Sequence, residues 1–139
     1  MNADDAETTV REYYEALREG EPLPPFFAAD ESLVKFGISE RLVGYEAVAE
    51  GLRDQTRESE DWTVTSSDLR VTERDRHAWF SDDVHMAWTD TGTDTETGTG
   101  TRHEFDTRWS GTLERRDSEE GGTEEWRFVG MHVSVARPF

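Results

Sequence analysis

The chain has 139 residues, of which 33% are apolar and 11% aromatic, and this length fits one domain whose core is built largely from aromatic rings. Asp and Glu number 32 against 15 Lys and Arg, which gives a formal net charge of −17, and there is no Cys. The acidic balance excludes a nucleic-acid partner, which needs a basic surface, and the lack of Cys excludes disulfides and thiolate metal sites.

The first half of the chain predicts two helices with short strands between them. Asp4 or Asp5 can cap the first helix, because an Asp side chain accepts a hydrogen bond from a free amide of the first turn. The prolines at positions 22, 24 and 25 force a break after that helix. Apolar spacing and turn residues predict, in chain order, a helix over 6–18, a turn or short helix at 26–27, strands at 32–36 and 40–43, and a helix over 44–58.

The second half of the chain predicts strands, because apolar and polar residues alternate along it. The predicted strands span residues 62–72, 77–88, 103–114 and 126–136. Two polar segments, 89–101 with Thr at every odd position and 117–125 with many acidic residues, are predicted hairpin loops. Helices followed by antiparallel strands indicate one α+β domain over residues 1–139, with the helices on one face of the sheet.

The last predicted strand carries large apolar side chains on both faces if it is regular. Trp126 and Phe128 then point to one side, and the apolar odd-numbered residues of 129–135 point to the other. A sheet that helices cover on one side is polar on its other side. We therefore expect the outer sheet face to be covered as well, most simply by a second copy of the chain in a homodimer.

Four stretches, in their order and spacing, resemble the SnoaL-like branch of the nuclear transport factor 2-like superfamily. Residues 10–21 (VREYYEALREGE) are similar to its opening helix, and residues 34–51 (VKFGISERLVGYEAVAEG) to its short strand, turn and helix. The second stretch is also similar to AtzH-like domains. Residues 108–115 (RWSGTLER) and 126–134 (WRFVGMHVS) resemble its last two strands. The resemblance implies a cone-shaped fold, with N-terminal helices packed on a curved, mainly antiparallel β-sheet around a pocket.

Members of this superfamily include ketosteroid isomerases, polyketide cyclases, dehydratases and kinase association domains, so the fold leaves the activity open. We expect the pocket to bind a small, largely apolar molecule without a cofactor. Five residues are predicted to line it, with Lys35 as the polar contact: Tyr13, Lys35, Phe36, Trp109 and Met131. An isomerase, cyclase or hydrolase that acts on a small molecule is one alternative, and a non-catalytic dimeric assembly module is another.

The sequence matches neither steroid-isomerase chemistry nor a metal site. The resemblance to ketosteroid isomerases implies that Tyr13 corresponds to the Tyr that donates a hydrogen bond to the oxyanion. It also implies that Phe36 occupies the position of the carboxylate base. The second acid of that site is also absent, since residues 109–111 include no Asp or Glu. His77 and His85 lie too far apart along one strand to share an ion, so no metal is expected. The catalytic residues stay unassigned.

Two further polar side chains in the strands are candidate functional groups. His132 and Ser134 are two residues apart, or ~6.6 Å along a strand, which favours a hydrogen-bonded structural His over a catalytic pair. Arg108 is predicted to pair with Glu104 or Asp106, to face a dimer partner, or to bind an anionic ligand.

The basic residues are unusual, because 14 of the 15 are Arg and only Lys35 is Lys. At molar salt the Debye length falls to roughly 3 Å, which removes most of the self-repulsion of an acidic chain. We therefore expect a halophilic origin. No run approaches the ~20 apolar residues of a membrane helix, and the acidic first residues are unlike a signal peptide, so a cytoplasmic protein without a membrane partner is expected.

Overall fold

The computed structural model describes residues 5–91, 100–117 and 123–136, so residues 92–99 and 118–122 of the two predicted loops lie outside the described residues. The elements in chain order are α1 (Ala6–Glu19), a short 3-10 helix (Pro24–Phe26), β1 (Val34–Phe36), β2 (Arg41–Val43), α2 (Tyr45–Glu58), β3 (Ser59–Ser66), β4 (Arg70–Glu73), β5 (His77–Asp90), β6 (Thr101–Asp117) and β7 (Glu124–Val135). Neither α1 nor α2 is long and apolar enough to cross a membrane.

Helix α1 begins and ends close to its predicted bounds. The Asp5 carboxylate accepts a hydrogen bond from the Thr8 amide at 2.8 Å, and the side chain and amide of Thr8 together lower the pKa of Asp5. Gly20 ends the helix at φ +70°, a left-handed conformation that glycine adopts without strain. The buried face of α1 carries Ala6, Val10, Tyr13, Tyr14, Ala16 and Leu17.

The strands form one mixed sheet in the order β2-β1-β7-β6-β5-β3, and β4 pairs with β5. Strand β1 runs parallel to β7, and each of the other pairs is antiparallel. The helices cover one face of this curved sheet, here called the inner face, and the hydrophobic core lies between them. The predicted fold class, helices packed on a curved and mainly antiparallel sheet, is confirmed.

The single strand predicted over 62–72 is wrong, because this segment forms two strands, β3 and β4, that pair with different parts of β5. The buried carboxylate of Asp82 accepts a hydrogen bond from the Asp68 amide at 3.0 Å, between the two strands. The Asp68 amide therefore donates to a side chain and not to a carbonyl of the neighbouring strand, which interrupts the pairing with β5 at this point. Asp82 also accepts a hydrogen bond from the buried Tyr14 hydroxyl at 2.8 Å, which ties α1 to this corner of the sheet.

The predicted division of apolar residues between the two faces of the last strand is also wrong. Strand β7 contains a bulge, since Thr112 pairs with Gly130 while Leu113 pairs with Phe128, which leaves Val129 as an extra residue. The alternation of side chains shifts by one position at the bulge. The buried side chains before and after it therefore share the inner face: Trp126, Phe128, Met131 and Val133.

The outer face of the sheet is largely polar. On β6 the even-numbered residues from 102 to 112 are exposed, and each is polar or charged. The large apolar side chains exposed in the described part of the chain are Phe36, Val43 and Trp79. Two of the last-strand residues that led us to expect a homodimer, Met131 and Val133, belong to the core, whereas Val129 and Val135 are half-buried. The homodimer stays a prediction.

Candidate functional site

A cavity of about 180 Å³ lies between α1, α2, the β1–β2 turn and the inner face of the sheet. Its apolar walls are aliphatic and thioether side chains: Leu17, Ile38, Met86, Met131 and Val133. Three indole rings, of Trp62, Trp88 and Trp109, complete these walls. An apolar cavity of about 150 Å³ holds one benzene molecule, so this cavity has room for a single small ring with a short substituent.

The three indole rings of the cavity are held in place by their neighbours. Trp109 donates from Nε1 to the Thr107 hydroxyl at 2.9 Å, and Trp62 donates from Nε1 to the Ser59 hydroxyl at 2.8 Å. The rings of Trp62 and Trp88 stack with their centroids 4.8 Å apart. The aromatic walls are therefore fixed before any ligand enters.

Tyr13 is a buried residue of α1 that lines the cavity and carries a hydroxyl group. Its ring is held by edge contacts with Phe26, Phe128 and Trp109, at centroid distances of 5.4, 5.3 and 6.1 Å. Burial, and secondarily the Glu40 carboxylate, raises the pKa of Tyr13, so the hydroxyl keeps its proton. In the part of the chain that the structure describes, no group forms a hydrogen bond with this hydroxyl. Tyr13 therefore offers an unused proton donor.

Lys35 brings a positive charge into the same cavity. Its side chain is only 7% exposed, and its Nζ lies 3.2 Å from the Glu40 Oε2. The Glu40 side chain is 43% exposed and folds back from the β1–β2 turn. A Cβ at Gly37 would lie 2.9 Å from Glu40 Cγ and Oε2, so the missing side chain of this glycine leaves the space that Glu40 fills. The pair thus joins a buried ammonium to a half-exposed carboxylate.

Four of the five residues predicted to line the pocket, Tyr13, Lys35, Trp109 and Met131, lie around this one cavity. Phe36 lies outside it, because successive residues of a strand point to opposite faces and Lys35 points inward. The Phe36 side chain is 37% exposed, on the outer face. Whether the four residues bind a ligand stays a prediction.

Several further residues line the cavity and were not predicted from the sequence, among them Glu40, Gln55, Trp62 and Trp88. Glu40 lies between β1 and β2, where neither a strand period nor a helix period gives the direction of a side chain. Trp62 had no such signal either, because the pairing of β3 with β5 is irregular between residues 60 and 63.

Arg108 and His132 lie on the outer face, away from the cavity. Arg108 donates from Nη2 to the Ser134 hydroxyl at 3.1 Å, and among the described residues it forms no ion pair. The His132 ring packs on Phe36 with centroids 5.2 Å apart, in place of the expected hydrogen bond. Ser134 and His132 therefore do not form a catalytic pair.

The carboxylates predicted to pair with Arg108 contact His85 instead. Asp106 Oδ1 lies 2.7 Å from the His85 Nδ1, and Glu104 Oε2 lies 2.7 Å from the Nε2. These two contacts, with Asp106 the larger cause, raise the pKa of His85. No group of three or more His, Asp or Glu side chains in the described ranges is arranged to hold a metal ion.

Comparison with known families gives one match along nearly the whole chain, to the SnoaL-like domain over residues 6–138. No curated protein matches the sequence.

Several solved structures share the fold at low sequence identity. A protein from Streptomyces avermitilis, described as a dehydratase of the NTF2-like family, has a TM-score of 0.73 at 15% identity and covers 94% of this chain and 93% of its own. A ketosteroid isomerase-like protein from Erwinia carotovora atroseptica has a TM-score of 0.67 at 15% identity, with 95% and 94% covered. A protein from Thiobacillus denitrificans, described as a calcium/calmodulin-dependent protein kinase type II association domain, has a TM-score of 0.71 at 16% identity, with 96% and 97% covered. At such identities the likeness shows the shared fold.

Proposed function

The chain belongs to the SnoaL-like domain family, and from this premise we propose that its cavity binds a small, largely apolar molecule. The observation that supports the proposal is an apolar cavity with rigid aromatic walls into which two buried polar groups project, the Tyr13 hydroxyl and the Lys35 ammonium. Small-molecule sites commonly combine such walls with a few polar groups that orient the ligand. The volume of about 180 Å³ favours a molecule with a single ring.

A substitution that fills the cavity tests this proposal. Ile38 lies in the β1–β2 turn and lines the cavity, whereas Phe36 lies in the same hairpin and outside it. Ile38→Trp adds bulk inside the cavity, and Phe36→Trp adds bulk on the outer face as the matched control. Ligand-observed NMR with a panel of neutral molecules, from benzene to indole in size, measures binding to each protein.

We expect some members of the panel to bind the wild type and Phe36→Trp with equal affinity, and to bind Ile38→Trp at least about tenfold more weakly, a difference of about 1.4 kcal/mol. Equal binding to all three proteins would place any binding outside the cavity and refute the proposal. Failure of the whole panel to bind the wild type would refute it as well.

An enzyme that moves a proton on a small molecule is the second candidate. It is favoured by the Glu40 carboxylate, which lines the same cavity as Tyr13. A carboxylate base facing a neutral hydroxyl donor can remove a proton from carbon while the donor stabilises the developing oxyanion. Deuterium exchange from D₂O into a small cyclic ketone, followed by NMR, tests this activity. Exchange that Glu40→Gln and Tyr13→Phe both abolish would support an enzyme, and exchange at the uncatalysed rate would contradict it.

We also propose a homodimer through the outer sheet face and adaptation to high salt. The exposed Trp79 and Phe36 side chains support a covered outer face, and the net charge of −17 supports a need for screening. Light scattering coupled to size exclusion, at low and at molar KCl, measures the mass of the particle. A monomer under both conditions would contradict the homodimer and a dimeric assembly module.

A further inference from the structure

We infer that the molecule bound in this cavity is a small aromatic carboxylate, whose anionic group binds Lys35 in the place that Glu40 occupies in the structure. The inference depends on the proposed function, because it names the class of molecule that the cavity takes. Three features carry it: the incomplete set of partners of Lys35, the half-exposed position of Glu40, and the flat walls of the cavity.

The Lys35 ammonium has hydrogen-bonding capacity that the protein does not use. An ammonium group has three donors, and among the described residues its one acceptor is Glu40 Oε2, at 3.2 Å. With 7% of the side chain exposed, bulk water has little access to the remaining donors. A buried cation is costly unless it is paired and hydrogen-bonded, so this site gains most from a ligand that supplies negatively charged oxygen atoms.

The Glu40 carboxylate is held weakly enough to be replaced. It belongs to a turn, its side chain is 43% exposed, and an ion pair with one solvated partner contributes little to stability. Glu40 can turn toward water while a carboxylate of the ligand takes its place beside Lys35. The exchange leaves the number of charges next to Lys35 unchanged, which avoids an unpaired buried ion.

The rest of the cavity fits an aromatic ring. Its walls include three indoles, and aromatic rings attract one another in edge and offset arrangements. The volume of about 180 Å³ has room for one ring and a carboxylate. The Tyr13 hydroxyl is protonated and has no partner in the described part of the protein, so it is available as a second donor to the ligand.

The charge of the whole chain acts against this ligand. A net charge of −17 repels an approaching anion at low ionic strength. At ~1 M KCl the long-range repulsion is screened, whereas a direct contact with the enclosed Lys35 is screened much less. Binding is therefore best measured at that salt concentration.

Two probes that share a ring and differ in charge separate the contribution of the anionic group to affinity from that of the ring. We propose titrations of 4-fluorobenzoate and of 4-fluorobenzyl alcohol, monitored by ¹⁹F NMR of the probe, at constant pH 7.5 and ~1 M KCl. The proteins are the wild type, Lys35→Met, Glu40→Gln and Glu46→Gln. Glu46 is an exposed residue of the first turn of α2 and does not line the cavity, so its variant controls for the loss of one negative charge.

We expect the wild type to bind the benzoate at least about tenfold more tightly than the alcohol, the preference that one charge-assisted hydrogen bond can supply. Lys35→Met should lose that preference and still bind the alcohol. Glu40→Gln should bind the benzoate several-fold more tightly than the wild type, because the competing carboxylate is gone, and Glu46→Gln should match the wild type.

Different results overturn different parts of the account. If the alcohol binds as tightly as the benzoate, the inference is wrong and the proposed function stands. If neither probe binds the wild type, both are wrong. If Glu40→Gln binds the benzoate more weakly than the wild type, the ligand does not replace Glu40. The comparison of Glu40→Gln with the wild type tests whether the ligand replaces Glu40, even if circular dichroism shows that Lys35→Met is unfolded.

Discussion

Replacement of Lys35 by Met should stabilise the fold, although it removes an ion pair. Lys35 is almost completely buried, and among the described residues its Nζ has a single acceptor, so the folded state bears most of the cost of dehydrating an ammonium group. Met has a similar length and no charge, and its side chain suits the apolar neighbours of Lys35. Substituting apolar residues for buried ion pairs is neutral or stabilises by about 1–4 kcal/mol.

The partial exposure of Glu40 narrows the expected gain in the free energy of unfolding. Glu40 is 43% exposed, so it regains its hydration when Lys35 is lost and the variant contains no stranded buried charge. Because only one of the two ions is buried, we expect Lys35→Met to raise the free energy of unfolding by about 1–2 kcal/mol. Glu40→Gln should have the opposite effect and lower it by up to about 1 kcal/mol, since it leaves the buried ammonium with a neutral acceptor.

Urea denaturation followed by tryptophan fluorescence, at one fixed KCl concentration, measures both free energies. Guanidinium chloride is unsuitable because it is itself a salt and would screen the charges under test. The m-values should stay constant, so that the shifts in midpoint report stability. A Lys35→Met variant less stable than the wild type by more than about 1 kcal/mol would refute the reasoning, since the pair would then be a net stabilising contact. A stabilised variant would show that the free-energy cost of burying Lys35 exceeds the stabilisation from its ion pair.

Three further predictions concern packing, pH and salt. Gly111→Ala should destabilise the fold by about 1–3 kcal/mol, because the added Cβ would lie 2.6 Å from the Gly130 carbonyl oxygen. Gly130→Ala should change the stability little, because the atom nearest to its Cβ would be 4.0 Å away. Equal urea midpoints for the two variants would contradict this prediction. The pKa of His85, measured by NMR, should lie above 6.5 and fall toward it in Asp106→Asn. Since the folded-state pKa of His85 is raised, the stabilisation from His85 is fully present below pH 6.5 and disappears as the pH rises through the folded-state pKa. A measured His85 pKa at or below 6.5 would show that its contacts with Asp106 and Glu104 do not persist in solution. The melting temperature should rise between ~0.1 M and ~2 M KCl, and a constant value would argue against adaptation to high salt.

The long elements were predictable because several local signals agree along them. Helix α1 has a capping Asp, a regular apolar stripe and a terminal Gly, and its predicted end at Arg18 lies one residue from the observed end at Glu19. The bulge at Val129 was not predictable, because no residue type at this position marks it in the sequence. One inserted residue nevertheless changes the sheet face of every later side chain of the strand. The break after β3 was equally hidden, since it depends on the distant Asp82.

The candidate site was predictable where a residue's own strand or helix decides its direction. Tyr13 lies on the buried stripe of α1, and Trp109 alternates with exposed neighbours on β6. Lys35 and Phe36 could not both face inward, and a stricter use of the strand period would have kept only one of the two. The structure shows that the inward residue is Lys35. Glu40 lies in a turn whose side-chain directions no period describes, so its contact with Lys35 needed the structure.

The most direct test of the central claim, that a small molecule binds in the cavity, is an NMR measurement of the tryptophan indole N–H signals. The chain has five Trp, of which Trp62, Trp88 and Trp109 line the cavity, whereas Trp79 and Trp126 do not. Signals assigned by single Trp→Phe substitutions would be followed while 4-fluorobenzoate or 4-fluorobenzyl alcohol is added. We expect saturable shifts of the three cavity signals, while the signals of Trp79 and Trp126 stay unmoved. No shift with either probe, or shifts confined to Trp79, would contradict the claim.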